Sequence, residues 1–315
     1  MLRSKGTFRE IIVMASPTLR KFISDPASIF RTQSAGIRHL YSLLYNAFSP
    51  SYRIRRKLAH TAIKPDTAKV PHDKGFLVVD NGDVFNCNEV IKFSLNTCKN
   101  CGPNVCSEKD YLNTGLVPYD QIGIDHPLLK FALDENILSI ATEYFQAVPL
   151  LVNLGVWRSS FSPEQASGSQ LFHCDNLDTT QLKVFIYATD VSINDGPLTL
   201  IDATKSSALR KKLNYKWTTK RYRVSDQEVE DTIGSSCIKT LTAPKGTMVF
   251  GDTSRCFHYG SRVTKLGKER IVAVAHYASS LALARPEAFV SGLPMAHLKN
   301  KVSNEVHRYV LAGTD

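Results

Sequence analysis

No apolar run in the 315 residues approaches the ~20 that a membrane-spanning helix requires. The basic opening stretch MLRSKGTFREIIVMASP has no long apolar core of the secretory kind, since Glu10 interrupts the approach to a short run. The cysteines do not form an even, closely spaced set. Seven are scattered along the chain, which points to reduced thiols and a cytoplasmic setting rather than a disulfide framework. Internal repeats, low-complexity tracts and nucleic-acid-binding motifs are missing too. What remains, 43% apolar and 22% charged residues, suits an ordinary globular protein of one large domain or two modest ones.

Acid is scarce in one place. Residues 1–72 hold 13 Lys/Arg against 3 Asp/Glu, whereas residues 73–315 hold 26 of each, so the formal charge of +10 belongs to the first quarter. Such asymmetry suits a segment that meets an anionic membrane surface, a nucleic acid or an acidic partner, or else a solvated basic face. Without a nucleic-acid motif, peripheral membrane or protein contact ranks above DNA or RNA. Within this segment IRHLYSLLYNAF places Ile37, Leu40, Tyr41, Leu44 and Phe48 at near-helical spacing. The expected role of that stripe is a buried helical face; an interfacial helix is the alternative. Pro17, Pro26, Pro50 and Pro65 cut the segment into short pieces.

From about Gly75 strands dominate. GFLVVDNGDVF reads as a hairpin around Asn81-Gly82. Pro127–Gln146 predicts one amphipathic helix, with Leu129, Ala132, Leu133, Ile137, Ile140, Ala141 and Tyr144 as its apolar stripe. PLLVNLGVWRSSF, QLKVFIYATDV, the segment after Asp195-Gly196-Pro197, KGTMVFGDTSRCFHYGSRV and ERIVAVAHYASS predict further strands and turns. The expected architecture is therefore mainly β with flanking helices, a sandwich or barrel over 73–315 following a basic, mostly helical segment 1–72. One stretch interrupts the strands at about 203–240. Lys205–Arg223 carries eight Lys/Arg and no acid, and Ser225 with Glu228 has the spacing of a capping box that starts a short helix. This insertion is a candidate lid.

The chemistry centres on LFHCDNLD. His173 and Asp175 are separated by one residue, and on a strand of period two both side chains share a face. Two ligands on one face can hold one metal ion, and His258, at the end of GTMVFGDTSRCFH, can supply the third if its strand lies alongside. Two histidines and a carboxylate leave one side of the metal open, as non-haem Fe(II) oxygenases require. Alternation along QLKVFIYAT puts Leu182, Val184, Ile186 and Ala188 on one face and Gln181, Lys183, Phe185 and Tyr187 on the other. The small apolar face suits outer helices, which would turn Lys183 inward toward an anionic co-substrate; the opposite facing, with Lys183 in solvent, stays open. Gln170 and Ser261, three residues before His173 and three after His258, are candidate hydrogen-bond donors to the same ligand. Trp157 is either a core tryptophan or a wall of the substrate end.

Four stretches in this order, HCD at His173–Asp175, KVFIYATDVSINDGPLTLI at Lys183–Ile201, GDTSRCFHYGSRV at Gly251–Val263 and ERIVAVAHYAS at Glu269–Ser279, resemble the phytanoyl-CoA dioxygenase-like family of Fe(II)/2-oxoglutarate oxygenases. The resemblance covers about a third of the chain closely. It implies a double-stranded β-helix, or jelly-roll barrel, with helices outside. It implies Fe(II) held by His173, Asp175 and His258, 2-oxoglutarate as co-substrate, O2, and hydroxylation of a small molecule with release of succinate and CO2. Asp175 stands where related halogenating enzymes have a small residue, which favours hydroxylation. An arginine about ten residues after the second histidine holds the distal carboxylate of 2-oxoglutarate in this family. Arg270 follows His258 by twelve residues and opens a strand; Arg262, four residues after, is its rival and otherwise an exposed loop charge. The basic insertion adds the expectation of an anionic substrate group, such as a phosphate, acyl-CoA or acidic saccharide, recruited through Arg210, Lys211 and Lys212. The alternatives are a non-catalytic jelly-roll binding protein and a zinc-dependent hydrolase using the same triad.

The other sulfur and imidazole groups have plainer readings. Cys98, Cys101 and Cys106, with Cys87 upstream, could form a four-thiolate zinc site, but the spacing departs from paired C-x2-C ribbons and ordinary reduced cysteines are expected. Cys174 should face away from its two neighbours and be inert, Cys237 and Cys256 should fill core, and His276 should be a satisfied core histidine.

Overall fold

The computed structural model describes residues 35–80, 87–101, 109–216, 222–279 and 293–314. Elements are numbered over these residues. Two helices come first, α1 (Ala35–Phe48) and α2 (Pro50–Ala62), then β1 (Phe76–Val79), α3 (Asn88–Asn100), β2 (Leu112–Asn113), α4 (Pro127–Ala132), α5 (Glu135–Phe145) and β3 (Leu150–Ser160). The second half runs β4 (Gln181–Tyr187), β5 (Leu198–Ile201), α6 (Ala203–Lys212), α7 (Asp226–Ile233), β6 (Ile238–Leu241), β7 (Met248–Gly251), β8 (His258–Tyr259), β9 (Glu269–Ala278) and α8 (Glu305–Ala312).

The strands make a six-stranded sheet in the order β1-β7-β4-β9-β3-β2 and a three-stranded sheet in the order β6-β5-β8, and all their pairings are antiparallel. Alternation on β4 settles which face is which. Leu182, Val184 and Ile186 are buried in one apolar cluster with Ala273, Ala275 and Tyr277 of β9, Met248 and Phe250 of β7, and Leu129, Ile137 and Ile140 of α4 and α5. Phe185 and Tyr187 belong instead to an interior cluster with Val249, Val272 and Val274 of the large sheet and Leu198 and Leu200 of the small one. The two sheets thus face each other across the second cluster, and the helices cover the outside through the first. This is a double-stranded β-helix, and Lys183 stands on its interior face. Each fully buried aliphatic side chain in these layers stabilises the fold by about 1.5–3 kcal/mol.

Several local expectations hold. Ser225 and Glu228 form the capping box that opens α7. Gly196 turns at φ +70°, and a Cβ there would lie 2.9 Å from the backbone nitrogens of Arg262 and Val263, so only glycine lets this turn pass under the Ser261–Val263 segment. The Asn81-Gly82 hairpin falls on residues outside those described, while β1 pairs with β7.

Three expectations need correction. The single helix over 127–146 is two helices, because the Asp134 carboxylate accepts hydrogen bonds from the Asn136 and Ile137 amides and starts a new N-terminus there. Cys237 is half-buried in a short turn after α7 rather than in the core. The apolar stripe of α1 is not buried: Ser42 and Asn46 face inward, and Ile37, Leu40, Leu43, Leu44 and Phe48 are exposed. Polar docking fixes that orientation, with the Ser42 hydroxyl donating to the buried Asp178 carboxylate at 3.5 Å. Helix α2 packs against α5 and α8. It buries Arg55, whose Nη1 donates to the Val148 carbonyl at 3.0 Å and whose pKa burial lowers to about 10.

Candidate metal centre

Two backbone segments build the site. His173 follows the short helical turn Gly168–Gln170, and His258 opens β8. The His173 amide donates to the His258 carbonyl at 3.1 Å and the His258 amide returns a bond of 2.9 Å, so the two histidines are cross-strand partners. Two residues further on, the Asp175 amide donates to the Thr253 carbonyl at 2.7 Å. The turn between these contacts is tied by buried Asp252. Its Oδ1 accepts from the Ser254 and Arg255 amides, and its Oδ2 accepts the Tyr144 hydroxyl at 2.7 Å.

Ligand atoms of His173, Asp175 and His258 all lie within 4.8 Å of one another. Among the described residues they are the one such group of three. Nδ1 of His173 lies 2.8 Å from the Leu171 carbonyl, and Nδ1 of His258 lies 3.1 Å from the Cys256 carbonyl. A carbonyl only accepts, so both rings carry their proton on Nδ1 and present the Nε2 lone pair inward. Burial, followed by the neighbouring His258, pulls the His173 imidazole well below its usual pKa, and burial lowers His258 as well. Both rings are thus neutral near pH 7. Burial alone would raise the Asp175 carboxyl, but the Lys183 ammonium, which also donates a hydrogen bond to it, holds it well below the usual carboxylate range. Two neutral imidazole nitrogens and one carboxylate oxygen form a donor set suited to a divalent first-row metal with open positions.

Lys183 faces the interior, and its Nζ donates to Asp175 Oδ2 at 2.6 Å. The same Nζ lies 5.4 Å from the Trp157 ring centroid, so the half-buried Trp157 lines the interior beside the candidate ligands. Arg270, the cross-strand partner of Ser159 on β3, is buried. Its Nη2 reaches the hydroxyls of Ser159 and Ser261 at 3.3 Å, its Nε has no partner, and it makes no ion pair among the described residues. A Cβ on Gly260 would stand 3.2 Å from Nη2, so the glycine leaves the guanidinium fork room. Ser159 comes beside Arg270 only through the β3–β9 pairing, which nothing local in the sequence reveals.

Ser261 adopts φ +65° and its hydroxyl also accepts from Ser159 at 2.9 Å. Gln170 Nε2 donates to the Ser261 carbonyl at 2.9 Å and its Oε1 accepts from the Ser167 amide, so this side chain braces the loop behind Arg270. Arg262 is not a free loop charge. It makes a two-pronged pair with Asp226 at 2.5 and 2.9 Å, donates to the Gln170 carbonyl, and stacks 3.4 Å over the Tyr259 ring. Its fork is already committed to a carboxylate of this chain.

The insertion reaches the site from one side. Val224 pairs with Phe172, and the Tyr222 ring centroid lies 6.0 Å from that of His173, with the Arg223 guanidinium 4.0 Å over the Tyr222 ring. Arg210 departs from its expected role as an exposed recruiter. Its Nη2 donates to Cys174 Sγ at 3.1 Å and to the Ser254 carbonyl at 2.9 Å, bracing both halves of the site. Lys212 bonds the Thr232 carbonyl and Lys211 is exposed.

Cys174 faces away from its neighbours, and burial pushes its thiol up to about 12. His276 bonds Gln181 at 3.1 Å, and burial lowers its pKa to about 3. Cys87 and Cys98 stand at opposite ends of α3, eleven residues apart and so roughly 16 Å at 1.5 Å per residue. They cannot share one ion; Cys106 lies outside the described residues.

No protein-family model and no curated protein matches the sequence. Among solved structures the chain is similar to the epimerase SnoN in complex with Fe3+, alpha ketoglutarate and nogalamycin RO, at 17% identity over 71% of this chain and 83% of that chain, with a TM-score of 0.49. It is also similar to HygX from Streptomyces hygroscopicus with nickel and 2-oxoglutarate bound (17% identity, 65% and 83% covered, TM-score 0.44). A third is EctD from S. alaskensis in its apoform (15% identity, 65% and 73% covered, TM-score 0.44). At these values the likenesses carry no assignment of activity.

Proposed function

We propose that the protein is an Fe(II)/2-oxoglutarate-dependent oxygenase that hydroxylates a small molecule. The observation that carries this reading is the interior pairing of a three-ligand cluster with a buried arginine that has no anionic partner among the described residues. His173, Asp175 and His258 would hold Fe(II), and Arg270, with Ser159 and Ser261 beside it, would take the distal carboxylate of 2-oxoglutarate. Once bound, iron and 2-oxoglutarate supply, with O2, oxidation of a substrate C–H bond coupled to formation of succinate and CO2. The chain's own part is positioning. The two carbonyl-anchored imidazoles and the Lys183-bound carboxylate keep their ligand atoms converged. The surrounding apolar walls, Phe185, Tyr187, Val249, Val272 and Val274, keep water from the interior.

The substrate side faces Tyr222, Arg223 and Trp157. Arg223 makes no ion pair among the described residues, and its charge bears on both histidines. It favours a substrate with an anionic group, a role that Arg210, bonded to Cys174 and Ser254, does not fill.

Anaerobic titration with Fe(II) and 2-oxoglutarate tests the reading, since a weak visible charge-transfer band requires both on one centre. The band should vanish in His173→Ala. Succinate release with anionic and neutral candidate substrates then tests turnover and charge preference. Absence of the band in the wild type and in His173→Ala alike would favour a zinc-dependent hydrolase using the same triad or a non-catalytic jelly-roll binder.

A further inference from the structure

Helix α1 turns its amphipathic pattern outward. Phe48 is 77% exposed, Leu40 58% and Leu43 54%, with Leu44 and Ile37 near half, while Ser42 and Asn46 are buried. Positions 37, 40, 44 and 48 recur at helical spacing, so these side chains form one continuous stripe. A contiguous apolar stripe of this kind on a protein surface marks a contact face.

The neighbouring charges select what it contacts. Residues 35–65 contain six Lys/Arg and no Asp/Glu. Two of these are used internally, Arg55 in its bond to Val148 and Lys64 beside Glu135. Arg53, Arg56 and Lys57 on α2 are exposed, make no ion pair among the described residues, and line one shallow cleft with His60, Ile63 and Gln146. No helix among the described residues is long and apolar enough to cross a membrane, so the element can lie on a bilayer but not span it.

We propose that α1 and α2 form a docking edge for an anionic lipid bilayer. Helix α1 lies in the interface with Ile37, Leu40, Leu43, Leu44 and Phe48 toward the acyl chains, and Arg53, Arg56 and Lys57 engage lipid phosphates. The proposal is independent of the metal centre.

The full chain is sedimented with vesicles of phosphatidylcholine alone or mixed with phosphatidylserine. It should bind the mixed vesicles, release with added salt, and bind phosphatidylcholine weakly. Leu44→Glu with Phe48→Glu should abolish binding. Arg53→Glu, Arg56→Glu and Lys57→Glu together should weaken it on the order of 100-fold or more. All five positions are exposed, so unchanged thermal melts and unchanged Fe(II) uptake show that the variants remain folded. Failure of the full chain to bind mixed vesicles overturns the proposal. So does a dimer in light scattering that Leu44→Glu/Phe48→Glu dissociates, since a second copy then covers the face. Binding that ignores both variant sets overturns it equally.

Discussion

Replacing Arg270 with methionine separates a guanidinium that waits for a ligand from one that holds the fold together. In the free protein Arg270 is buried with two long hydroxyl contacts of 3.3 Å and an unpartnered Nε. Truncating one member of a buried ion pair costs about 3–5 kcal/mol because the other charge is stranded. Here no carboxylate would be stranded, so Arg270→Met should leave apo-protein stability unchanged or raise it. Ligand binding should move the other way. Two charge-assisted hydrogen bonds at about 1.5–3 kcal/mol each correspond to roughly 100- to 20,000-fold weaker 2-oxoglutarate binding. Anaerobic titration of the Fe(II) form reads the affinity, and thermal melts with and without 2-oxoglutarate read the linkage. At about 100 times Kd the wild type should gain about 2.7 kcal/mol, seen as a higher Tm, and the variant should gain about 0.4 kcal/mol or less at that concentration. An apo-protein destabilised by several kcal/mol with 2-oxoglutarate affinity intact would refute the reasoning and make Arg270 structural.

Arg262→Ala, by contrast, should lower Tm by removing a half-exposed pair worth about 1 kcal/mol or less along with its stacking on Tyr259, while leaving 2-oxoglutarate affinity unchanged; a large affinity loss would transfer the anchoring role to it. Lys183→Met leaves Asp175 Oδ2 without its donor and should weaken metal binding by roughly 10- to 100-fold in calorimetric titration with Fe(II) or Ni(II). Tighter metal binding in that variant would mean that Lys183 competes with the ion. His276 is folded with a pKa near 3, whereas unfolded it protonates near 6.5. The unfolded chain therefore binds the extra proton throughout that window, and stability falls as pH drops from 6.5 toward 3, by on the order of 4–5 kcal/mol from this residue. Urea melts of apo-protein across the window should show a shallower acid limb in His276→Gln, and an unchanged limb would refute the assignment.

Much of the site was legible because its signals are local. A one-residue spacing places His173 and Asp175 on a common face, and the alternation of Gln181–Tyr187 separates two faces, although only the packing shows that the one bearing Lys183 turns inward. The capping box at Ser225 is likewise written in four consecutive residues. Other features were illegible because they depend on partners far away in the chain. Ser159 joins Arg270 only through the β3–β9 register, and Arg262 is claimed by Asp226 of a helix that the sequence does not tie to it. The break at Leu133–Asp134 is local, but a continuous apolar stripe across it masks an aspartate able to cap a new helix.

The sequence by itself determined the strand-rich second half, the candidate ligands and the confinement of excess charge to the first 72 residues, because periodicity, spacing and composition are properties of the chain alone. Only the tertiary structure decided that the three candidate ligands converge, that Arg270, unlike Arg262, has no counter-ion among the described residues, and that α1 shows its apolar side to the outside. These depend on which distant groups come to lie against one another, and a stripe of leucines reads the same in sequence whether the core or a lipid surface receives it.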